Sequence, residues 1–561
     1  MAAPLTPPAP AGPTASGAED ALDHLVNQFA DPLAFLRELV QNSIDAGSAE
    51  VEVRCEFTPA AAAPQSKAAP ERTDETPGTL IIGVDDWGSG MDRRIIDHKL
   101  TRLFSSDKEG DRTQIGKFGI GFVSVFALRP DAVCVDTGRA GESWRVLFHA
   151  DRSFTRIRLN EPVEGTRIKV IKAMTESGAA ELTQRVRKAL RFYCPHVRIE
   201  LRFAGEQLSG PLSLADPDTD AQPIQVEERA PELHLVVGFT PPGQPDRAGY
   251  YNRGLTLVEE PSQLAGISFK VDSPRLAHTL SRDAVIKDKT FQQALFRVQR
   301  LSSGPLLAHL AATLEAELAA AAPPPRLQPL QALLAACWRR GPLPTDCQAR
   351  RCARSAQGAL LTLGSCRSAA AARRLFLVEQ PSPLTQHLEA RGVLVLPSWQ
   401  AELASALNED IEPPHATHFY VLPLRAPPGP AAEPADELRS ATLSLLRGVG
   451  AEVVAVELGH LDYPGAAAPS LPAVAQEEPF ELSALRDTAL GAALLRRPRR
   501  TLVLNADHAA VRALLPLSRD EPELAAYTMA KLCLRAAPLS PELDGRLLKL
   551  ALEHRCRRLG R

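Results

Sequence analysis

The chain has 561 residues, 44% of them hydrophobic, and a formal net charge of −3. This length allows about three or four domains of ~150 residues each, and the charge gives no general reason to expect binding to nucleic acid or to an anionic membrane. No window reaches the ~18 uninterrupted apolar residues that a membrane span needs. The Ala- and Pro-rich segment 1–19 lacks the basic start of a secretory signal and is predicted to be a disordered tail. The nine cysteines match no common zinc spacing, which favours reduced thiols and a cytoplasmic location.

The N-terminal region is predicted to mix helices and strands. Apolar spacing predicts two helical stretches within residues 20–46, with Asp31-Pro32 as the N-cap and first position of the second helix, and Gly47 as its stop. Further patterns predict strands at 51–57, 79–84, 143–149, 154–159, 165–171 and 197–201, and a helix at 180–192. This order predicts an α+β domain with a mixed or antiparallel sheet and helices on one side.

The remainder of the chain is predicted to form further α/β and helical parts. After a linker at 216–223 come strands near 232–238 and 253–258, helices within 289–319, and a break at Pro323-Pro-Pro325. A β-α-β unit follows (374–378, 383–390 and 393–396), then a helix and strand within 438–461, and a mostly helical segment at 500–556. We therefore predict domains at 20–215, 224–425 (two parts, split near 323–326) and 436–561.

Glu38, Asn42 and Asp45 are four and three residues apart, so they share one face of a predicted helix. A carboxylate beside a pocket can take a proton from an attacking water, and an amide oxygen one turn later suits Mg²⁺, which prefers oxygen ligands. The alternative interpretation is an amphipathic surface helix whose polar residues face water.

Asp86 follows a buried strand and precedes Gly88 and Gly90. A carboxylate at this point can accept a hydrogen bond from an exocyclic amine such as that of adenine, and the glycines allow tight bends close to a ligand. A simple Asp-Gly turn after a strand is the alternative.

The third motif is a glycine-rich turn, Gly116-Lys117-Phe118-Gly119-Ile120-Gly121, ahead of the apolar run 122–128. Backbone N–H groups at such a helix start can hold phosphate oxygens. The turn lacks the Gly-Lys-Ser/Thr of a P-loop, and it has no strand immediately before it, as a dinucleotide fingerprint requires.

The ordered set of three motifs resembles the GHKL ATPase superfamily, which includes heat-shock protein 90 chaperones, MutL proteins, type II topoisomerase ATPase subunits and histidine kinases. The segments 35–46 and 115–126 are most similar to heat-shock protein 90. The resemblance implies a Bergerat-type α/β sandwich ATPase domain at the N-terminus, an α/β middle domain and a mostly helical C-terminal domain. Residues 253–260, 269–274 and 280–283 resemble that family's middle domain, 375–396 its second part, and 502–512 the start of its dimerisation domain.

The resemblance also implies roles for individual residues. Glu38 would be the general base, Asn42 the Mg²⁺ ligand and Asp86 the adenine-binding carboxylate, while Arg282 would reach the ATP γ-phosphate, a role that suits a guanidinium. An ion pair of Arg282 with Asp283 or Asp288 is the alternative. The other residues placed around the nucleotide are Asp45, Gly88, Gly90, Met91, Gly116, Lys117, Phe118, Gly119, Ile120, Gly121, Phe122 and Thr166. Lys108 is either a phosphate contact from the lid or a solvated loop lysine.

The chain departs from the family at the lid, roughly 98–116, which is shorter than in typical chaperones, and at Lys117, where many members carry Gln. These differences leave ATP binding intact but put the lid kinetics and the use of co-chaperones in doubt. The leading hypothesis is a stress-response chaperone: a homodimeric clamp, joined through its C-terminal region, that hydrolyses ATP to act on partly folded client proteins. A MutL-like clamp acting on DNA and a regulatory ATP-binding protein are the alternatives. The slight acidity makes nucleic acid a poor candidate partner, and no membrane partner is expected.

Overall fold

The computed structural model describes residues 31–60, 76–101, 120–215, 222–279, 284–425, 432–466, 468–491, 494–495, 499–534 and 539–561. The chain divides into two compact units, residues 1–306 and 307–561. Within the described ranges, no helix combines the length and hydrophobicity that a lipid bilayer requires. The predicted helix within 20–30 and most of the predicted linker lie outside the described residues.

An eight-stranded sheet forms the centre of the N-terminal part, in the order β5-β4-β3-β6-β2-β1-β7-β8. Its strands are Glu50–Pro59 (β1), Pro77–Asp86 (β2), Ala132–Arg139 (β3), Glu142–His149 (β4), Phe154–Arg158 (β5), Thr166–Thr175 (β6), Glu200–Phe203 (β7) and Glu206–Gln207 (β8). The described neighbours pair antiparallel except for β1 and β7, which are parallel. The predicted mixed sheet is confirmed, whereas β3 was missed and the strand predicted at 197–201 begins at Glu200.

Three helices share an apolar core with this sheet. They are Phe35–Asp45 (α1), Ile120–Val123 (α2), which continues as a 3₁₀ turn over Ser124–Leu128, and Glu176–Tyr193 (α3). Side chains of all three belong to the same buried cluster as those of the central strands. A short helical segment, Arg93–Ile95 followed by a π turn at Ile96–Leu100, adds to the helical layer. The expected α/β sandwich is therefore present.

The start of α1 differs from the prediction, and its end agrees with it. Asp31 accepts a hydrogen bond from the backbone of Leu33 at 2.9 Å, so it caps a turn that precedes the helix, and α1 begins only at Phe35. Pro32 therefore does not occupy the first helical position. At the other end Gly47 adopts a φ of +76°, a left-handed conformation that glycine reaches without strain.

A second sheet completes the first unit, with five strands in the order β12-β11-β13-β10-β9. The strands are Gln225–Ala230 (β9), Leu233–Phe239 (β10), Arg247–Asn252 (β11), Leu255–Pro261 (β12) and Ile267–Asp272 (β13), and the helix Lys289–Ser303 (α4) follows. Asp288 caps α4 by accepting from the backbone of Phe291 at 2.9 Å. The predicted strands and helix of this region are confirmed.

The second unit begins with helices and continues into a parallel β-α-β unit. Its first elements are Pro305–Ala319 (α5), Pro324–Arg340 (α6), Thr345–Ala349 (α7), Ala353–Arg354 (β14), Leu360–Leu361 (β15), Leu363–Ala371 (α8), Leu375–Val378 (β16), Pro383–Ala390 (α9), Leu394–Pro397 (β17) and Ala401–Leu407 (α10). Strands β16 and β17 pair in parallel, as the predicted β-α-β unit requires.

The C-terminal part packs helices with a small sheet in the order β19-β20-β23-β21. The elements are Tyr420–Val421 (β18), Leu424–Arg425 (β19), Ala432–Gly448 (α11), Val453–His460 (β20), Ala473–Gln476 (β21), Ser483–Ala484 (β22), Arg500–Asn505 (β23), Ala509–Asp520 (α12), Pro522–Leu534 (α13) and Pro541–Arg558 (α14). The last three helices make the end of the chain helical, as predicted, although the four-stranded sheet gives this region a larger β component than expected.

Candidate functional site

Glu38 lies on the buried face of α1, where its residue exposure is only 7%. Its neighbour Arg37, 3% exposed, places Nε 3.3 Å from Oε1 of Glu38. The Arg37 guanidinium also lies 5.2 Å from the ring centroid of Tyr193 on α3. A charge that is out of water is tolerated when an opposite charge accompanies it, so this arrangement holds a carboxylate inside the domain.

The start of α2 approaches this carboxylate closely. A Cβ atom built on Gly121 would lie 2.9 Å from Oε2 of Glu38, so glycine is what allows the two segments to meet. Ile120 is the first residue of α2, and Phe122 is buried, with its ring centroid 5.3 Å from that of Phe148. Two of the predicted motifs, separated by about 80 residues in sequence, therefore meet at Glu38.

Asp86 ends β2 and is 8% exposed. Its carboxylate accepts hydrogen bonds from the Gly88 N–H to Oδ1 at 2.9 Å, from the Ser43 hydroxyl to Oδ2 at 3.0 Å, and from the Thr166 backbone. Burial raises the pKa of Asp86 above its ordinary value, and these three donors work against that rise. The donors orient the carboxylate and leave part of its acceptor capacity for a ligand.

Glycines at the end of β2 allow backbone segments to touch. Gly90 has a φ of +61°, and a Cβ atom there would lie 1.9 Å from the carbonyl oxygen of Gly138. Gly165 has a φ of +70°, and its Cβ would lie 2.0 Å from the carbonyl oxygen of Asp86. A side chain at either position is excluded both by conformation and by contact, so this corner of the site is made of backbone.

A threonine pair supports the same corner. The hydroxyl of Thr137 on β3 accepts from the Met91 N–H at 2.9 Å and lies 3.1 Å from the Thr166 hydroxyl on β6. Thr166 in turn is the register partner of Asp86. Met91, Asp86 and Thr166, which the sequence analysis assigned to one site, are therefore close together in the fold.

The other two polar residues of the α1 motif lie at the surface. Asn42 and Asp45 are exposed, while Ser43 between them is buried. Asp45 forms an ion pair with Arg253, in the turn between β11 and β12, with 2.8 Å between Oδ1 and Nη1. The three motif residues thus differ in environment: Glu38 is inside the domain, and Asn42 and Asp45 face outward.

Several predicted site residues lie outside the described residues: Lys108, Gly116, Lys117, Phe118, Gly119 and Arg282. Their assignments stay predictions. Conversely, the structure adds residues that the sequence analysis assigned no role, namely Arg37, Ser43, Thr137 and Gly138. Ser43 was within the first motif, and the helical period places it on the apolar face with Leu36, Leu39 and Val40, which was the available signal, whereas Arg37 immediately precedes that motif. Nothing in the local sequence distinguishes Thr137 and Gly138.

Comparison with known proteins agrees with this geometry. Residues 33–176 match the family described as "Histidine kinase-, DNA gyrase B-, and HSP90-like ATPase". This stretch, with its sandwich fold and the clustered motifs, is a GHKL-class ATPase domain.

Within that class the N-terminal part of the chain is similar to HtpG chaperones. It is 33% identical over 205 residues to the "Chaperone protein HtpG" of Actinobacillus pleuropneumoniae serotype 5b, covering 31% of this chain and 29% of the relative. The same protein of Anaplasma phagocytophilum is 32% identical over 196 residues (31% and 29% covered), and that of Rhodospirillum rubrum is 30% identical over 207 (33% and 32%). The chain thus matches less than a third of the length of these relatives.

Proposed function

We propose that this protein is an ATP-dependent molecular chaperone that uses ATP binding and hydrolysis to drive a dimeric clamp on partly folded client proteins. The observation that carries the proposal is a pair of buried carboxylates, Glu38 and Asp86. Both are connected to α1: Glu38 is on that helix, and Asp86 is hydrogen-bonded to it through Ser43. The chaperone activity in this proposal is inferred from the names of the HtpG relatives.

In this proposal Asp86 accepts a hydrogen bond from the exocyclic amine of adenine. The backbone corner at Gly88, Gly90 and Met91 borders the base, since the Gly88 N–H bonds Oδ1 of Asp86 at 2.9 Å and so lies beside the carboxylate that accepts from the amine. Thr166 supports Asp86 from β6. The Asp86 carboxylate suits adenine because an ionised carboxylate can only accept hydrogen bonds, and the exocyclic amine donates them.

Glu38 takes the proton from the water that attacks the γ-phosphate. It lies against Gly121, the last glycine of the motif that was predicted to surround the phosphates. Mg²⁺ bound with the nucleotide would neutralise phosphate charge, and Asn42 would supply an amide oxygen to it from the next turn of α1. Arg282 and Lys108 remain proposed phosphate contacts, and the expected cytoplasmic location stays a prediction.

The chaperone assignment is tested by measuring the aggregation of a thermally unfolded model protein with the purified chain and ATP. We expect suppression of aggregation and a client-dependent change in ATP turnover. Turnover that responds to DNA, together with salt-sensitive retention of DNA, would favour the MutL-like alternative instead. ATP binding with neither turnover nor a response would favour a regulatory protein.

The proposed dimer contact is the outer face of α14. Leu547 and Ala551 on its inner face are buried, whereas Leu548 and Leu552 are 45% and 51% exposed. The exposed pair borders a groove of about 650 Å³ that Gly545, Lys549, Glu553, Cys556, Arg557 and Arg561 also line. A helix with apolar residues on two sides is suited to bury both, and we propose that a second copy of α14 covers the outer one.

Introducing charge on that face is expected to separate the subunits. The double variant Leu548→Glu/Leu552→Glu should raise the dimer dissociation constant about 100-fold or more, because the apolar contact is lost and two carboxylates would have to give up water at the interface. Sedimentation velocity over a concentration series measures this. The control is Ile411→Glu, which alters a more exposed apolar residue of the same unit (64% exposed) outside α14. An unchanged constant in the double variant would contradict the proposed interface.

A further inference from the structure

The Ser43 hydroxyl is a buried polar group that none of the proposed steps uses. Ser43 is 2% exposed and lies on α1 between the two outward-facing residues Asn42 and Asp45. Its Oγ is 3.0 Å from Oδ2 of Asp86 and 3.1 Å from the carbonyl oxygen of Leu39, one turn earlier. The hydroxyl has one proton and two possible acceptors, and an ionised carboxylate is the stronger acceptor of the two.

This hydrogen bond is a side-chain link between the helix that carries Glu38 and the strand end that carries Asp86. The second carboxylate oxygen, Oδ1, is held by the Gly88 N–H, so the two bonds together fix the rotation of the carboxylate. Loss of the Ser43 hydroxyl removes the hydrogen bond to Oδ2 of Asp86. The turn of α1 between Leu39 and Ser43 stays formed. The direction in which Asp86 presents its remaining lone pair would then be less defined.

We infer that Ser43 is a positioning residue for base selection: through its hydroxyl it orients the Asp86 carboxylate toward the exocyclic amine of the purine. The inference rests on the proposed function, because it requires that this site binds ATP. It adds a residue that acts through Asp86 and itself touches neither the base nor the phosphates. Its expected effect is therefore on base preference rather than on the chemical step.

The surroundings of Asp86 allow a clean pH measurement. Among the described residues, three elements pack against Asp86. Each faces it with an uncharged residue: Ser43 on α1, Val51 in register on β1, and Thr166 on β6. The neighbouring Asp85 lies on the opposite side of β2, near Arg54 at 3.9 Å. Ionised Asp86 is a stronger acceptor for the amine than the protonated acid, so ATP affinity is highest above its pKa and declines as the pH falls through it. Because the Ser43 donor lowers that pKa, Ser43→Ala should lose affinity at a higher pH than the parent protein.

The experiment compares the full chain with Ser43→Ala and the control Thr183→Ala. Thr183 on α3 also bonds the carbonyl four residues earlier, that of Ala179 at 2.7 Å, and its strand neighbour is Cys55 on β1, which pairs with Ile82 rather than with Asp86. Binding of ATP and of inosine triphosphate, which carries a carbonyl in place of the amine, is measured by calorimetry from about pH 5 to 8. Alanine is a better helix former than serine, so α1 is expected to remain intact, and thermal unfolding checks this.

We expect Ser43→Ala to weaken ATP binding about tenfold, to leave inosine triphosphate binding nearly unchanged, and to shift the pH midpoint of ATP affinity upward relative to Thr183→Ala. Comparison at each pH with the control variant removes the titration of the nucleotide itself. Equal losses for both nucleotides, or an unchanged ATP affinity and midpoint, would overturn the inference. If the parent protein binds no ATP, the proposed function fails first, and the two failures are thereby distinguished.

Discussion

Replacing Glu38 by glutamine is expected to reduce the ATP turnover rate about 10²- to 10⁴-fold while ATP binding persists, because the variant keeps the shape of the side chain but loses the proton acceptor. The alanine variant should behave in the same way. Single-turnover hydrolysis and equilibrium nucleotide binding, measured on the same preparation, separate the two effects.

The matched control for this experiment is Glu52→Gln. Glu52 on β1 is also a buried carboxylate, 5% exposed, and its partners are the Gly205 N–H at 3.0 Å and the Arg54 guanidinium at 3.5 Å. Its replacement should leave turnover within about twofold of the parent protein. Normal turnover in Glu38→Gln would end the assignment of the general base, and a comparable loss in both variants would indicate a general effect on the fold.

Replacing Asp86 by asparagine is expected to weaken ATP binding about 10- to 150-fold, the range for losing a hydrogen bond to a charged group. The Gly88 N–H faces Oδ1, so the amide of the variant is expected to place its oxygen there and its NH₂ group in the position of Oδ2. The Ser43 hydroxyl can accept from this NH₂ group while donating to the Leu39 carbonyl. Fluorescence or calorimetric titration with ATP measures the change.

The pH dependence gives a second test of Asp86. Burial raises its pKa, so ATP affinity in the parent protein should decline as the pH falls through that raised value, whereas the asparagine variant should show no such decline. The control is Asp85→Asn, which removes the adjacent carboxylate on the opposite side of β2. If ATP affinity depends on pH in the same way in the parent protein and in the asparagine variant, Asp86 is ruled out as the group that binds the base.

Much of the fold follows from local pattern, and the differences have physical causes. The alternation in β1 and the apolar run of β2 predict those strands, and Gly47 predicts the end of α1, because these signals lie within a few residues. Strand β3 was missed because two of its residues, Asp136 and Thr137, are polar. The fold satisfies both: Arg145 on β4 binds Asp136, with 2.6 Å between Nε and Oδ1, and Thr137 meets Thr166. These polar residues cut the apolar run of β3 to the four residues 132–135, the shortest run that indicates a buried strand.

The candidate site likewise combines residues that the sequence identifies with contacts that it does not predict. Glu38, Asp86 and the glycines could be identified because their spacing and the resemblance mark them. The Ser43–Asp86 bond joins residues 43 apart, and the Thr137–Thr166 contact joins residues 29 apart. Such contacts depend on strand register, and a single sequence without pairing information does not specify the register. The surface position of Asp45 likewise depends on its partner Arg253, far along the chain.

The parallel pairing of β1 with β7 has a consequence for synthesis on the ribosome. Val53 pairs with Phe203, so one side of β1 has its partner only after about 150 further residues have been translated. At ~5–20 residues per second, the nascent domain would wait roughly 8 to 30 seconds with an open strand edge, the kind of surface that promotes aggregation. A chain truncated before Glu200 should therefore expose that edge permanently and aggregate more readily than the full chain.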